Sequence, residues 1–214
     1  METPFEIREY VESGKSPFAD WFNSLDAVTA VRVDKYIRRL EAGNFGSAKT
    51  LQEGISELRL DFGPGYRVYF GRDGKTIIIL LGGGSKRRQS ADIAAAIERW
   101  KRTNSQRISM ALTREYKQTV LARIKRDPKF ARALYAEAVN SLLEGETAEG
   151  LSMLRDLVHA GITFKTLSEQ TGFGEKTLHR MLSSRGNPTT RNLFAVTKVI
   201  SEDLGIKSQV KIAA

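Results

Sequence analysis

Apolar and polar positions alternate at the start of the chain, where Phe5, Ile7 and Val11 predict a strand over 4–11. Ser16-Pro17 supplies an N-cap and a first-turn proline, predicting a helix over 17–25. Asp26 opens a second helix to about residue 42, with Val28, Val31, Tyr36, Ile37 and Leu40 mostly on one face. The period then returns to two. Segments 55–62 and 66–71 read as strands joined by Gly63-Pro64-Gly65, and Asp73-Gly74 turns into a strand over 76–81. The uncharged run Ile77–Leu81 predicts a strand buried on both faces, and a helix over 90–102 closes the unit. The order βααβββα predicts a small α+β domain with its helices on a curved antiparallel sheet.

From residue 113 onward no strand period is visible. Helices are expected over 113–126, from Asp127-Pro128 to about 144, and over 147–159, 164–171, 175–183 and 190–204. Gly161, Gly172-Phe173-Gly174 and Gly186-Asn187-Pro188 punctuate them. The second half is therefore expected to be all-α.

Length agrees with two units: 214 residues suit two domains of about 100. The polar heptad 103–109 reads as a linker, and Met110-Ala111-Leu112-Thr113 has the look of an independent protein's start. The expected division is thus 1–102, linker 103–109, and 110–214, as in a fusion of two proteins. There is no cysteine, which excludes disulfides, zinc fingers and thiol nucleophiles and suits a reducing compartment. No apolar run reaches the ~18 residues of a membrane span, and Met1-Glu2 is not the basic start of a signal peptide. A cytoplasmic protein without membrane contact is expected. The net charge of +9 divides into +3 over 1–102 and +6 over the remainder, so polyanionic partners are expected for both halves.

In the second half, two short helices meet at a glycine-bearing turn over about 162–183. Leu167, Phe173, Leu178, Met181 and Leu182 would face inward and Lys176, Thr177 and Arg180 outward. This segment resembles the helix-turn-helix proteins of the lambda-repressor/Cro type, including the Gly186-Asn187-Pro188 step into the next helix. The resemblance implies a recognition helix from Glu175 in the major groove. Lys176 and Arg180 would read guanine edges and Thr177 a base or a thymine methyl, with Glu175 reading cytosine or favouring its helix terminus. Lys165, Arg185, Asn187 and Arg191 complete the expected DNA-contacting set. A basic helical bundle without DNA function stays open as the plainer reading. The two histidines, His159 and His179, lie too far apart for local metal-ligand spacing.

Residues 1–102 contain neither histidine nor cysteine, which excludes paired-histidine and Cys/His chemistry there. Gly82-Gly83-Gly84-Ser85-Lys86 lacks the spacing of a phosphate-binding loop, and the acids are scattered, so no metal or other cofactor is expected. What remains is basic and aromatic. Arg59 and Arg67 face each other across the Gly-Pro-Gly turn with Tyr66 and Tyr69 beside them, and Lys86, Arg87, Arg88 and Gln89 follow the buried strand. Guanidinium groups hold phosphate and tyrosine rings stack on bases, so such a patch suits RNA. Arginine stabilises developing phosphorane charge but is a poor base, which leaves Lys86 as the proton-transfer candidate. On these grounds alone, a solvated basic rim around a small sheet explains the same residues.

Leu58-Arg59, Gly63-Pro64-Gly65-Tyr66-Arg67-Val68-Tyr69-Phe70, Leu80-Leu81-Gly82-Gly83 and Lys86-Arg87-Arg88-Gln89 resemble the RelE/ParE superfamily of toxins, in its HigB-like branch. The chain from Met110 resembles the matching HigA-like antidote, in "MALTREYK" and "RMLSSRGNPTTRNLF". The pair implies a type II toxin–antitoxin module on one chain. Its toxin half would be a ribosome-dependent mRNA endoribonuclease with Arg59, Arg67, Lys86 and Arg87 catalytic and Tyr66, Tyr69, Arg88 and Gln89 holding RNA. Its antidote half would neutralise the toxin and bind operator DNA as an autorepressor, acting as a homodimer. Where some relatives carry a C-terminal tyrosine, this chain has Asp92-Ile93. Two other readings stay open: a DNA-binding repressor with an inert toxin-like domain, and a ParE-like gyrase inhibitor.

Overall fold

The computed structural model describes residues 5–105, 112–183 and 185–207. The chain divides into two compact units, residues 1–119 and 120–214.

In the first unit, β1 (Glu6–Tyr10) leads into α1 (Pro17–Ser24), where the Ser16 side chain accepts from the Ala19 N–H at 3.1 Å and Pro17 takes the first turn. Asp26 caps α2 (Ala27–Glu41) in the same way. Then come β2 (Ala48–Thr50), β3 (Ile55–Leu60), β4 (Tyr66–Asp73) and β5 (Ile77–Ser85). A 3-10 turn, Lys86–Arg88, passes into α3 (Gln89–Ser105). A last strand, β6 (Thr113–Glu115), stands at the sheet's edge. The six strands run in the order β2-β3-β4-β5-β1-β6.

The expected wholly antiparallel sheet is corrected to a mixed one, because β1 pairs with β5 in parallel. The chain leaves β1 through two helices before entering the β3–β4–β5 meander, and such a crossover returns it to the starting end. Two strands were absent from the expected order. β2 is three residues long, too short for an alternation to be read. Thr113–Glu115, expected to be helical, forms β6, and α4 starts only at Tyr116. Its register sets Arg8 against Glu115 and Glu9 against Arg114, and these opposite charges favour the ladder. Of the expected linker 103–109, residues 103–105 continue α3; residues 106–109 and Met110 lie outside the described residues.

Consecutive glycines show that both faces of the sheet are covered. A Cβ added at Gly82 or Gly84 would meet Arg99 or Asp92 of α3, whereas one at Gly83 would overlap the Trp21 ring of α1. Helices therefore lie on opposite sides of β5, and glycine is what lets them approach. The pairing of β4 with β5 slips by one residue between Tyr69 and Phe70, leaving Leu81 as a bulge. On the α3 side, Tyr10, Ile55, Tyr69, Ile79 and Leu81 pack with Ala96, Ile97 and Trp100.

The second unit contains most of α4 (Tyr116–Arg126), then α5 (Pro128–Leu143), α6 (Thr147–Ala160), α7 (Phe164–Thr171), α8 (Glu175–Met181) and α9 (Thr190–Asp203). Asp127 accepts from the Lys129 and Phe130 N–H groups, both at 3.1 Å, at the predicted Asp-Pro cap. Phe130, Leu134, Leu154, Leu167, Leu178 and Val196 are buried in its core. No helix among the described residues is long and apolar enough to cross a membrane.

Candidate functional site

Strand alternation puts Glu57 and Arg59 of β3 on one face, and pairing sets Arg59 directly against Arg67 of β4 and Glu57 against Tyr69. Two guanidinium groups facing each other would repel. Glu57 resolves this: its carboxylate, fully buried, accepts from Arg59 Nε at 3.2 Å, from Arg67 Nε, and from Gln89 Nε2 at 3.0 Å. Arg67 also donates through Nη1 to the Gly65 carbonyl at 2.9 Å. Its side chain is 11% exposed, against 46% for Arg59. Arg67 is thus a fixed fork with Nε and Nη1 committed, and Arg59 a more open one.

The 3-10 turn carries Lys86, Arg87 and Arg88 on the surface, and a shallow concavity is lined by Lys86–Ala91. Gln89, at the start of α3, ties this turn to the arginine pair through Glu57. The structure therefore brings Arg59, Arg67 and Gln89 into one hydrogen-bonded cluster, with the three exposed cations on the turn that leads into it. Tyr66 is half-buried beside Phe62 and Trp21, at ring-centroid distances of 5.5 and 6.2 Å.

Tyr69, expected to stack on RNA, is 1% exposed and belongs to the core under α3, so its ring does not offer a face to a base. Its hydroxyl is buried without a hydrogen-bond partner, as is Oδ2 of Asp92. Burial, and after it the negative charges of Glu57 and Asp92, push the Tyr69 phenol up to about 12. Burial also raises the Asp92 carboxyl above its ordinary value, against the pull of Arg88 and Arg99. Glu57 is a site residue that the prominence of the cations hid. The available signal was the i,i+2 spacing Glu57–Arg59, which places an acid beside the cation on a strand face.

An orphaned hydroxyl makes a prediction possible. Tyr69→Phe removes a buried group that makes no bond, so stability at neutral pH should stay level or rise by about 1 kcal/mol. The folded state prefers the phenol, so its contribution is complete below pH 10 and lost as pH rises toward about 12. The variant should show a shallower alkaline loss over that window in urea titrations. A clear loss of stability at pH 7 would show that the hydroxyl has a partner after all.

In the second unit, α7 and α8 are joined by residues 172–174, with Gly172 in the left-handed region at φ 73° capping α7 and Gly174 at the start of α8. Lys165, Glu175, Lys176, Arg180, Arg185, Asn187 and Arg191 are exposed and Thr177 is half-buried. Leu167, Leu178, Met181 and Leu182 are buried and Phe173 half-buried. His179 stacks on Phe164 with centroids 3.7 Å apart, so it packs onto α7. Among the described residues no group of three His, Asp or Glu side chains could hold a metal ion.

The sequence profile of the family described as "Phage derived protein Gp49-like (DUF891)" matches residues 20–114. A Haemophilus influenzae protein described only as uncharacterized is 42% identical over 80 residues, covering 37% of this chain and 81% of that protein. No solved structure matches.

Proposed function

The chain belongs, through residues 20–114, to the Gp49-like family of phage-derived proteins, a toxin-like family of RelE/HigB type, and from that premise we propose that its first unit is a metal-independent endoribonuclease acting on ribosome-bound mRNA. The observation that carries this reading is the opposed arginine pair held by one buried carboxylate, next to three exposed cations. In the reaction proposed, the ribose 2′-hydroxyl loses its proton and attacks the adjacent phosphate, the P–O5′ bond breaks, and a 2′,3′-cyclic phosphate and a protonated 5′-hydroxyl are left. Arg67 and Arg59 stabilise the phosphorane charge, Lys86 or a neighbouring group moves the proton, and Arg87 and Arg88 grip flanking phosphates. Tyr66, half-buried on the Trp21 side of β4, would stack on a base only at the edge of the sheet, away from the arginine pair. Glu57 and Gln89 hold the fork in place before substrate arrives, which is where preorganised donors gain their advantage.

The second unit, in the same proposal, is a helix-turn-helix domain with α8 as its recognition helix. It would bind operator DNA as a dimer, neutralise the first unit and repress its own gene. What supports this is the short Gly172–Gly174 joint and the exposed row Lys176, Arg180, Arg185, Asn187 and Arg191.

A second reading, a DNA-binding repressor whose first unit is inert, draws on one observation: Arg67 is largely buried and already bonded to Glu57 and Gly65. Inducible expression of residues 1–119 with mapping of mRNA 5′ ends separates the two. New 5′ ends at ribosome-covered sites are expected, and Lys86→Ala or Arg67→Ala should lower cleavage by ~10²–10³. Growth arrest with intact mRNA would shift the target to gyrase, and no arrest would leave the repressor. In the full chain, Arg180→Ala should weaken operator binding by about 1–3 kcal/mol, read by gel shift at fixed salt.

A further inference from the structure

We propose that Leu112–Thr119 is a docking segment, an edge strand followed by a tyrosine plug, which would keep the chain together as a two-piece complex if it were cut between Ser105 and Leu112. The strand part is β6. Its pairing with β1 extends to the Val11 N–H, which donates to the Leu112 carbonyl at 2.8 Å. Arg8 clasps Thr113, donating Nε to its hydroxyl at 2.7 Å and Nη2 to its carbonyl at 3.3 Å. Arg114 donates to Glu9, fully buried, at 3.0 Å, and to the Thr119 hydroxyl at 3.1 Å. A shift of one residue would turn every one of these side chains to the other face.

The plug is Tyr116. Its ring meets Phe18 and Phe22 edge-on, with centroids 5.7 and 6.0 Å away, and it is 5% exposed. Its hydroxyl donates at 2.7 Å to Oδ1 of Asp34, a fully buried carboxylate whose Oδ2 accepts from Arg38 at 2.7 Å. Burial, followed by the Asp34 charge, raises the phenol well above its usual range, so it remains a donor. Without the segment, β1 would be an open edge, and Glu9 and Asp34 would each lose a donor that the segment supplies. The family match ends at Arg114, so Tyr116 and Thr119 lie beyond the matched residues. The segment meets sheet, aromatic core and buried acids at once, which is the chemistry of strand addition to a protein partner. This docking holds whether or not the first unit cuts RNA.

The test uses the full chain with a protease recognition sequence placed between Ser105 and Leu112. After cleavage the two pieces should co-elute in gel filtration, with a Kd below about 1 μM by dilution. Tyr116→Phe, which keeps the ring, should weaken the cleaved complex about 10–100-fold, since it strips a donor from a buried charge. Arg114→Ala should weaken it also, and Tyr116→Ala should release the pieces. Pieces of unaltered sequence that separate at micromolar concentration overturn the proposal. So does an affinity that Tyr116→Phe and Arg114→Ala both leave unchanged, because the grip would then lie elsewhere. Should Tyr116→Ala fail to fold, the Phe and Arg114 variants still decide.

Discussion

Glu57→Ala is expected to lower the stability of the first unit by about 3–5 kcal/mol, as when a buried ion pair is broken from one side. The carboxylate is fully buried and serves Arg59, Arg67 and Gln89 together, so removing it leaves two like charges facing each other across neighbouring strands. Most of the loss should come from Arg67, at 11% exposure, because Arg59 at 46% can turn to water. Glu57→Gln keeps the shape and one acceptor, and should cost less than alanine. Its remaining penalty is repulsion between cations, so added salt should shrink it while leaving most of the alanine penalty in place. Trp21 and Trp100 are the chain's two tryptophans and both lie in the first unit, so urea unfolding followed by indole fluorescence reads that unit alone. A loss under about 1 kcal/mol for the alanine variant, at unchanged slope, would show that the carboxylate is not what holds the fork.

A second large effect is expected where Trp100 lies on Gly71. Trp100 is 6% exposed in the core under α3, and a Cβ on Gly71 would overlap its ring. Trp100→Ala should cost about 3–5 kcal/mol through lost burial and the cavity left behind. Gly71→Ala should cost about 1–3 kcal/mol by overpacking. The two should not add: without the indole the new methyl has room, so the double variant should be more stable than the sum, by about 0.5–3 kcal/mol. Trp21 remains as the fluorescent reporter in every member of the cycle. Additivity within about 0.5 kcal/mol would mean that ring and glycine do not share one space.

Local signals made most elements readable. Ser16-Pro17, Asp26 and Asp127-Pro128 carry their helix starts in a few adjacent residues, and the Gly63–Gly65 turn fixes the antiparallel register that sets Arg59 against Arg67. Pairing over long separations was not readable. Nothing near Thr113 shows that its partner is Tyr10, roughly a hundred residues earlier, so β6 passed for the first turn of a helix. The parallel union of β1 and β5 is a property of the whole path between them. At the site, the cations were visible because they stand out as a cluster, whereas Glu57, one of several scattered acids, looked like a solvated side chain. Tyr69 misled because it shares the face of Arg67, two residues away, yet lies one step further under α3, where the helix closes over the ring. The run Gly82–Gly84, set aside as a phosphate loop, proved to be strand, with glycine demanded by neighbours above and below it.

That bare stretch of β5 makes the sheet thinnest behind the cationic cluster. Trp21 rests on one side of it and Asp92 and Arg99 on the other, with only main chain between them. The indole acts as a backstop: pressing on it, or thinning it, moves the floor on which the basic face stands. The seating of the arginine pair can therefore be shifted from the rear, by changes in α1 that touch no charged group.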